Sequence, residues 1–503
     1  MKPRRAHHFA ARGTSGIAGC ALLTAALLAA AVPARAMTSS LPPAADGLIR
    51  TGLDDLHDGL YGKAEASFRA AGRAAPGDPA PPLFIAFSYW WRTLQDRSDR
   101  SLDGPFLEAI EQVVQAGDRL LETAPDDRRV LTCVGTAHIL RSQVEGNRRN
   151  FFKASQEARR GKKNLDAALR IDASNPDVLF GLGAYNYFTE KIPGLARGLL
   201  FMPKGDADLG LRQLKDLASS DAYFSTDARL LLAIICGSRD EQCYGDALAH
   251  LTRALEKHPK SPLMLGSIGG LKIRLGYYGE AIQALHQALA GMAGDDAERV
   301  DQRRILKVYL AEALSADWRL DRAAVTLREV GDPSTLPARE RHTFERIVLE
   351  ISQKQGLRQS DADPVAAAKT RSDSALAARV GAALAAQDDG RDGEASTLLA
   401  TAAEAYPQDP LPRFLLGRLR FEQGQFAAAD RELSLALERA SDPPAWMAGW
   451  IELYRGLAQN ALGHREAAEK HFRTASEVKK FRSAERGLLE LRRGAPSQAR
   501  CRP

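Results

Sequence analysis

The sequence predicts an all-α protein, an α-solenoid of antiparallel helix pairs interrupted by one linker. Three observations carry this. A small residue, a bulky apolar residue four positions on and an alanine seven positions on recur as Ala64/Phe68/Ala71, Ala247/Leu251/Ala254, Ala281/Leu285/Ala288, Ala395/Leu399/Ala402, Ala429/Leu433/Ala436 and Ala468/Phe472/Ala475. These offsets put all three residues on one helix face. The first alanines of successive copies lie 34 residues apart from Ala247 to Ala281 and from Ala395 to Ala429. In three copies a proline stands twelve residues after the first alanine, at Pro76, Pro259 and Pro407, where a helix must end.

The copies are often preceded by a glycine and an aromatic, as in "GLYGKA", "GYYGEA" and "GQFAAA". Period and pattern together resemble the tetratricopeptide repeat (TPR), a helix-turn-helix unit of this length. A small residue lets two antiparallel helices approach, the bulky one fills the space between them, and the second alanine receives the next hairpin. The resemblance implies a TPR superhelix whose inner groove is lined mostly by the first helix of each pair. Degenerate copies are expected at about 80–125, 130–176 and 305–345.

In chain order, residues 1–36 come first, with Lys2, Arg4, Arg5 and Arg12, an apolar run from Ile17 to Val32 and the small-residue pattern "PARA". That is the form of a secretory signal peptide cleaved after Ala36, which predicts a periplasmic or secreted protein. The run is short for a membrane span, and no second long apolar run follows, so no transmembrane segment is expected in the mature chain. The signal removes five basic residues and no acidic one, leaving 64 Lys and Arg against 63 Asp and Glu. A near-neutral mature chain gives no electrostatic case for nucleic acid.

Residues 44–352 read as an N-terminal array with an apolar insert at 191–205, and 375–494 as a C-terminal array. Between them, 353–374 is polar and lacks apolar periodicity, so it reads as a linker across which the arrays unfold separately. The tail 495–503 is expected to be disordered.

The stretch "GLGAYNYFTEKIPGLARGLLFMPKG", residues 181–205, breaks the pattern. Gly183 offers a close-packing spot, and Asp206 is the natural N-cap of the helix that follows. A "GxxxYNY" helix, an apolar Pro/Gly stretch and "GDxxxGLxxL" also resemble a subgroup of exported bacterial TPR proteins, from which no activity is carried over. In one reading the insert is extra core, served by Ile192, Leu195, Leu199, Leu200, Phe201 and Met202. In another it joins Tyr185, Asn186, Tyr187 and Phe188 in a pocket for a peptide, lipid or glycan. A third is peripheral envelope association, with Lys191, Arg197 and Lys204 beside the apolar residues.

Upstream, residues 148–170 carry eight Lys or Arg, among them Arg148, Arg149, Arg159 and Arg160, against Glu157 and Asp166. They form either a solvated helix face or an anion-attracting patch kept company by Phe151 and Phe152. Cys236 and Cys243 flank the turn "GSRDEQ" between two helices, where Cα atoms come within disulfide range in an oxidising compartment. Cys133 reads as core and Cys501 lies in the tail.

Catalytic signatures such as HExxH, a P-loop or a dinucleotide fingerprint are missing from the sequence, so no enzyme activity and no cofactor are expected. His138 reads as a helix residue, and the pairs His250/His258 and His464/His471 lack a carboxylate arrangement that recommends a metal. The function expected is an exported, non-enzymatic scaffold that binds a protein or peptide partner through its groove. The alternative is an envelope ligand carrier or membrane-associated factor using 183–205 as an apolar pocket. A carrier requires an enclosed cavity touching Tyr187 and Leu199, whereas a scaffold requires that region packed.

Overall fold

The computed structural model describes residues 41–95, 99–238, 241, 243–292, 297–356, 367–439, 445–478, 483 and 485–493. The expected leader with its expected cleavage site, the middle of the expected linker and the tail with Cys501 lie outside the described residues. Among the described residues every regular element is a helix.

The helices pair in sequence order as neighbours. They are α1 (Pro43–His57) with α2 (Tyr61–Ala74), α3 (Ala80–Gln95) with α4 (Asp103–Thr123), and α5 (Arg128–Asn147) with α6 (Phe151–Ile171). Next, α7 (Val178–Glu190) pairs with α9 (Ala207–Ala218) across the short α8 (Gly194–Leu199). Then come α10 (Ser225–Cys236) with α11 (Tyr244–Leu255), α12 (Pro262–Leu275) with α13 (Tyr278–Ala290), and α14 (Ala297–Ala316) with α15 (Leu320–Arg328). A single helix α16 (Ala338–Gly356) packs on that last pair. The C-terminal pairs are α17 (Ala367–Asp388) with α18 (Asp392–Ala405), α19 (Pro410–Glu422) with α20 (Phe426–Arg439), and α21 (Ala445–Ala461) with α22 (Arg465–Glu477), followed by α23 (Glu485–Arg493).

All six small/bulky/alanine triplets fall on second helices and are buried. In four pairs the bulky residue lies on a glycine of the first helix sixteen positions earlier: Phe68 on Gly52, Leu285 on Gly269, Leu433 on Gly417 and Phe472 on Gly456. A Cβ on any of these glycines would approach the bulky side chain to under 3 Å, so the close crossing requires glycine there. Turns inside the pairs need one left-handed residue, and it is glycine at Gly59, Gly276, Gly390, Gly424 and Gly463. In the two degenerate pairs α5/α6 and α14/α15 the same turn position is held by Arg149 (φ 65°) and Trp318 (φ 64°). Several helix starts are fixed by side chains that accept from free backbone N–H groups, among them Asp127, Asp206, Ser261 and Asp409.

The N-terminal array departs from an open solenoid, in which each repeat touches only its neighbours. The first helices α3, α7 and α10 meet through an aromatic interior, although α3 and α7 are separated in the array by α5. Phe87 lies 5.5 Å from Phe180 and 4.9 Å from Phe224, Phe180 stacks on Phe224 at 5.2 Å, and Phe84 packs against Tyr223 and Phe224. All are buried. Asp227, fully buried at the start of α10, accepts from the indole of Trp91 on α3 at 2.8 Å and pairs with His57 at the end of α1 at 2.9 Å. His57 in turn lies 5.0 Å from the His258 ring, and its carbonyl accepts from Ser261, the cap of α12. Tyr223 bonds Asp46 on α1. The protein's own side chains thus join α1, α3, α7 and α10 across the inner face.

The expected linker also changes. Helix α16 runs on to Gly356 and α17 begins at Ala367, so only 357–366 remain, and these lie outside the described residues. Nor are the arrays separate bodies. Trp318, from the α14–α15 turn, is buried in the core of the C-terminal array, and the buried Arg418 on α19 donates to the Asp317 carbonyl at 3.0 Å. At the other end α23 returns to the N-terminal array: Tyr277 bonds Glu490, Arg486 donates to the Gly276 carbonyl, and Leu489 covers Gly245. These contacts join the two arrays on both sides of the expected linker.

Asp227→Ala, which strands His57 and Trp91 in the interior, should lower the free energy of unfolding by about 3–5 kcal/mol. Ala281→Leu or Ala429→Leu should lower it by about 1–3 kcal/mol through overpacking. Lys163→Ala, on the solvated face of α6, should stay within about 0.5 kcal/mol. Urea unfolding followed by circular dichroism checks the ranking.

Candidate functional site

The insert is built on a tight crossing of α7 and α9. On α7 and α9, Gly183 and Gly210 face each other so closely that a Cβ on Gly210 would lie 2.7 Å from the Gly183 carbonyl oxygen. Gly205 is closed in by the Asn186 carbonyl and Thr189. Between these points the chain is pushed outward, because no room remains for it to run along the helix pair.

The sequence-predicted residues of this segment divide sharply. Tyr185, Asn186 and Tyr187 are buried and serve packing. Asn186 donates to Gln213 on α9 at 2.9 Å, and the Tyr187 hydroxyl donates to Glu241 at 2.8 Å. Lys191 also reaches Glu241, at 2.7 Å, with its ammonium 5.2 Å from the Tyr187 ring centroid. The Lys191 ammonium and the Tyr187 hydroxyl hold the Glu241 carboxyl below the usual carboxylate range. Tyr185 faces Lys162, and burial pushes its hydroxyl up. Phe188 is partly exposed and edge-on to Tyr187 at 5.2 Å.

The apolar residues of the insert divide. Ile192, Leu200 and Met202 are half-buried, with Met202 packed against the core, whereas Leu195 is 81%, Leu199 72% and Phe201 74% exposed. The extra-core reading fails for Leu195, Leu199 and Phe201, and the same exposure leaves Leu199 outside any enclosed pocket. Two open clefts among the described residues, about 270 and 490 Å³, lie elsewhere, against α15 and α16 and between α13, α14, α15 and α17. The ledge is nevertheless fixed. Arg159 on α6 donates to the carbonyls of Leu200 at 3.2 Å and Phe201 at 3.0 Å. The Glu190 carboxylate receives the backbone N–H of Ala207, closing the base of the loop. Phe201 is held in the left-handed region at φ 51°, a strained conformation for an aromatic residue.

The basic stretch is mostly engaged within the fold. Arg148 forms a two-pronged pair with Asp103 at 2.8 and 2.6 Å. Lys153 pairs with Glu145, Arg160 with Glu157 and Lys162 with Asp166. Arg149 occupies the turn position already described, and Arg159 holds the insert. Read together, these contacts favour the solvated helix face over an anion-attracting patch, though Phe151 and Phe152 remain more than half exposed.

His258 faces Asp58 at 3.3 Å beside His57, and His471 meets Glu452 at 2.6 Å, each in a one-to-one pair. The His57–Asp227 pair escapes the sequence because its partners stand 170 residues apart. Cys133 is fully buried, as expected. Cys236 and Cys243 are brought together at the α10–α11 turn as free thiols. No helix among the described residues is long and apolar enough to cross a membrane.

No protein-family model matches the chain, and no curated protein sequence does. Solved helical-repeat structures show similarity. Yeast Tom70 is 14% identical over 86% of this chain and 97% of its own, with a TM-score of 0.28. A tetratricopeptide repeat protein from Parabacteroides merdae is 16% identical over 70% and 96%, with a TM-score of 0.22. Human IFIT1 is 13% identical over 88% and 96%, with a TM-score of 0.27. At such values the repeat fold rests on the helix pairing itself.

Glu241 contributes stability that is fully present above the ordinary carboxylate pKa of about 4.3. That contribution is lost as pH falls through its lowered folded value. Glu241→Gln should therefore flatten the acid limb of stability below about pH 4 relative to the parent while changing little at pH 7 beyond the lost ion pair. Thermal melts between pH 3 and 7, on the order of one per half unit, check this.

Proposed function

We propose that this chain is an exported, non-enzymatic helical-repeat scaffold that binds a protein or peptide partner. The observation that carries the reading is the ledge of Leu195, Leu199 and Phe201. Its backbone is tied down by Arg159, while its apolar side chains stand in water. Holding large apolar groups out of the core is unfavourable by roughly 1.5–3 kcal/mol per side chain relative to burial, so an exposed set on a fixed backbone fits a surface that is covered when a partner binds. The side chains that join α1, α3, α7 and α10 across the inner face turn recognition away from that part of the groove and onto this outer feature. The partner expected is an apolar helix face or peptide, whose side chains interdigitate with the ledge. Export is supported by the signal-like leader of residues 1–36, and the exported TPR subgroup remains the fitting class.

The mature chain should begin at Met37 by N-terminal mass analysis and fractionate outside the cytoplasmic membrane. Site-specific photocrosslinking from position 199 in envelope extracts should yield a discrete partner. Leu195→Ser/Leu199→Ser/Phe201→Ser should lose that partner without lowering the melting temperature, since the three side chains are solvated. Undiminished capture by the triple variant would remove the ledge from the function.

A further inference from the structure

The end of α10 and the start of α11 bring three metal-type donors together. Cys236 is the last residue of α10, Cys243 is the residue just before α11, and Asp246 lies in the first turn of α11. Both sulfurs and a carboxylate oxygen lie within 4.8 Å of one another. A tetrahedral cation with metal–sulfur bonds of about 2.3 Å and metal–oxygen bonds of about 2.0–2.2 Å asks for donors slightly closer than that, a gap small side-chain rotations close.

We propose that Cys236, Cys243 and Asp246 form a site for a borderline-soft divalent cation of the zinc type. Two sulfur donors favour such a cation over magnesium or calcium, which take oxygen ligands. The fourth position falls to water, with His250 one turn beyond Asp246 on the same face of α11. Burial holds His250 toward its neutral form, in which a ring nitrogen has a free lone pair.

The charge balance also fits. Binding converts two thiols to thiolates and releases two protons, leaving two thiolates and one carboxylate around a divalent cation. The remaining negative charge faces Lys215 of α9, which lies close enough to act on Cys236 and His250. Without a cation, burial pushes the Cys236 thiol up and keeps it protonated. A disulfide would draw on the same two sulfurs, so oxidation and cation binding exclude each other. The turn between these ligands also carries Glu241, which anchors Tyr187 and Lys191 at the base of the ledge. A bound cation therefore stiffens the support of the insert.

The test uses the full mature chain, reduced and kept free of oxygen. Titration with Co²⁺ should give thiolate-to-cobalt charge transfer and tetrahedral ligand-field bands saturating at one equivalent. Zn²⁺ should displace it with release of protons when the metal is first taken up. Competition against a chromophoric chelator should show Zn²⁺ affinity lowered on the order of 100-fold in Cys236→Ser and Cys243→Ser, and about tenfold in Asp246→Asn. Cys133→Ser should bind as the parent does, and diamide-oxidised parent should not bind. Circular dichroism of the metal-free variants separates a lost ligand from a lost fold. Absence of cation uptake by the reduced parent at micromolar metal, or parental affinity in the folded Cys236→Ser/Cys243→Ser double variant, would overturn the site.

Discussion

The buried carboxylate of Asp227 and the aromatic rings around it set the shape of the N-terminal half. Asp227 Oδ1 receives Trp91 from α3 and His57 from α1, so these bonds form only when the first, second and fifth helix pairs come together, while Oδ2 is buried without a hydrogen-bond partner. A buried polar group left without its partner is costly, which couples these helix pairs to one another. Phe84, Phe87, Phe180 and Phe224 then fill the space inside, each edge or stack adding about 0.5–1.5 kcal/mol beyond simple burial. A repeat array that would otherwise grow as an open spiral is turned into a body with its own core.

The consequences run outward from that closure. With the inner face bridged by these side chains, the glycine-lined crossing of α7 and α9 leaves the 191–205 segment no route except over the surface, and Arg159 fixes it there. The same economy of space appears at the junction of the arrays. The turn that needs a left-handed residue carries Trp318 in place of glycine, and its indole is buried in the C-terminal core. Asp317, the residue before it, meets Arg418. Strain accepted at one turn is offset by burial across the junction.

The helix pairs were legible in the sequence because their determinants are local. The triplets at 0, 4 and 7, the Asp206 cap and the close approach at Gly183 all act within one hairpin. The glycine sixteen residues before four of the six bulky triplet members was an unused local signal that would have marked those first helices as well. The closure was not legible, because His57, Trp91 and Asp227 come from distant pairs and nothing in their neighbourhoods distinguishes them from ordinary helix residues. The fate of the 183–205 segment followed the same division. Tyr185, Asn186 and Tyr187 read as pocket residues from their chemistry, but the bonds of Asn186 to Gln213 and of Tyr187 to Glu241 depend on which helices meet. Arg148 and Arg159 likewise read as a cationic patch until Asp103 and the insert carbonyls take them up.

The central claim is that the first helices of the N-terminal array form one interior and not a row of separately stabilised hairpins. Native-state hydrogen exchange resolved by mass spectrometry addresses it most directly. Closure predicts that amides in the middle of α3, α7 and α10 exchange only through one shared opening, with a common free energy and a common response to denaturant. Graded protection that differs from pair to pair along the chain, with α3 opening independently of α10, would show an open solenoid and contradict the account.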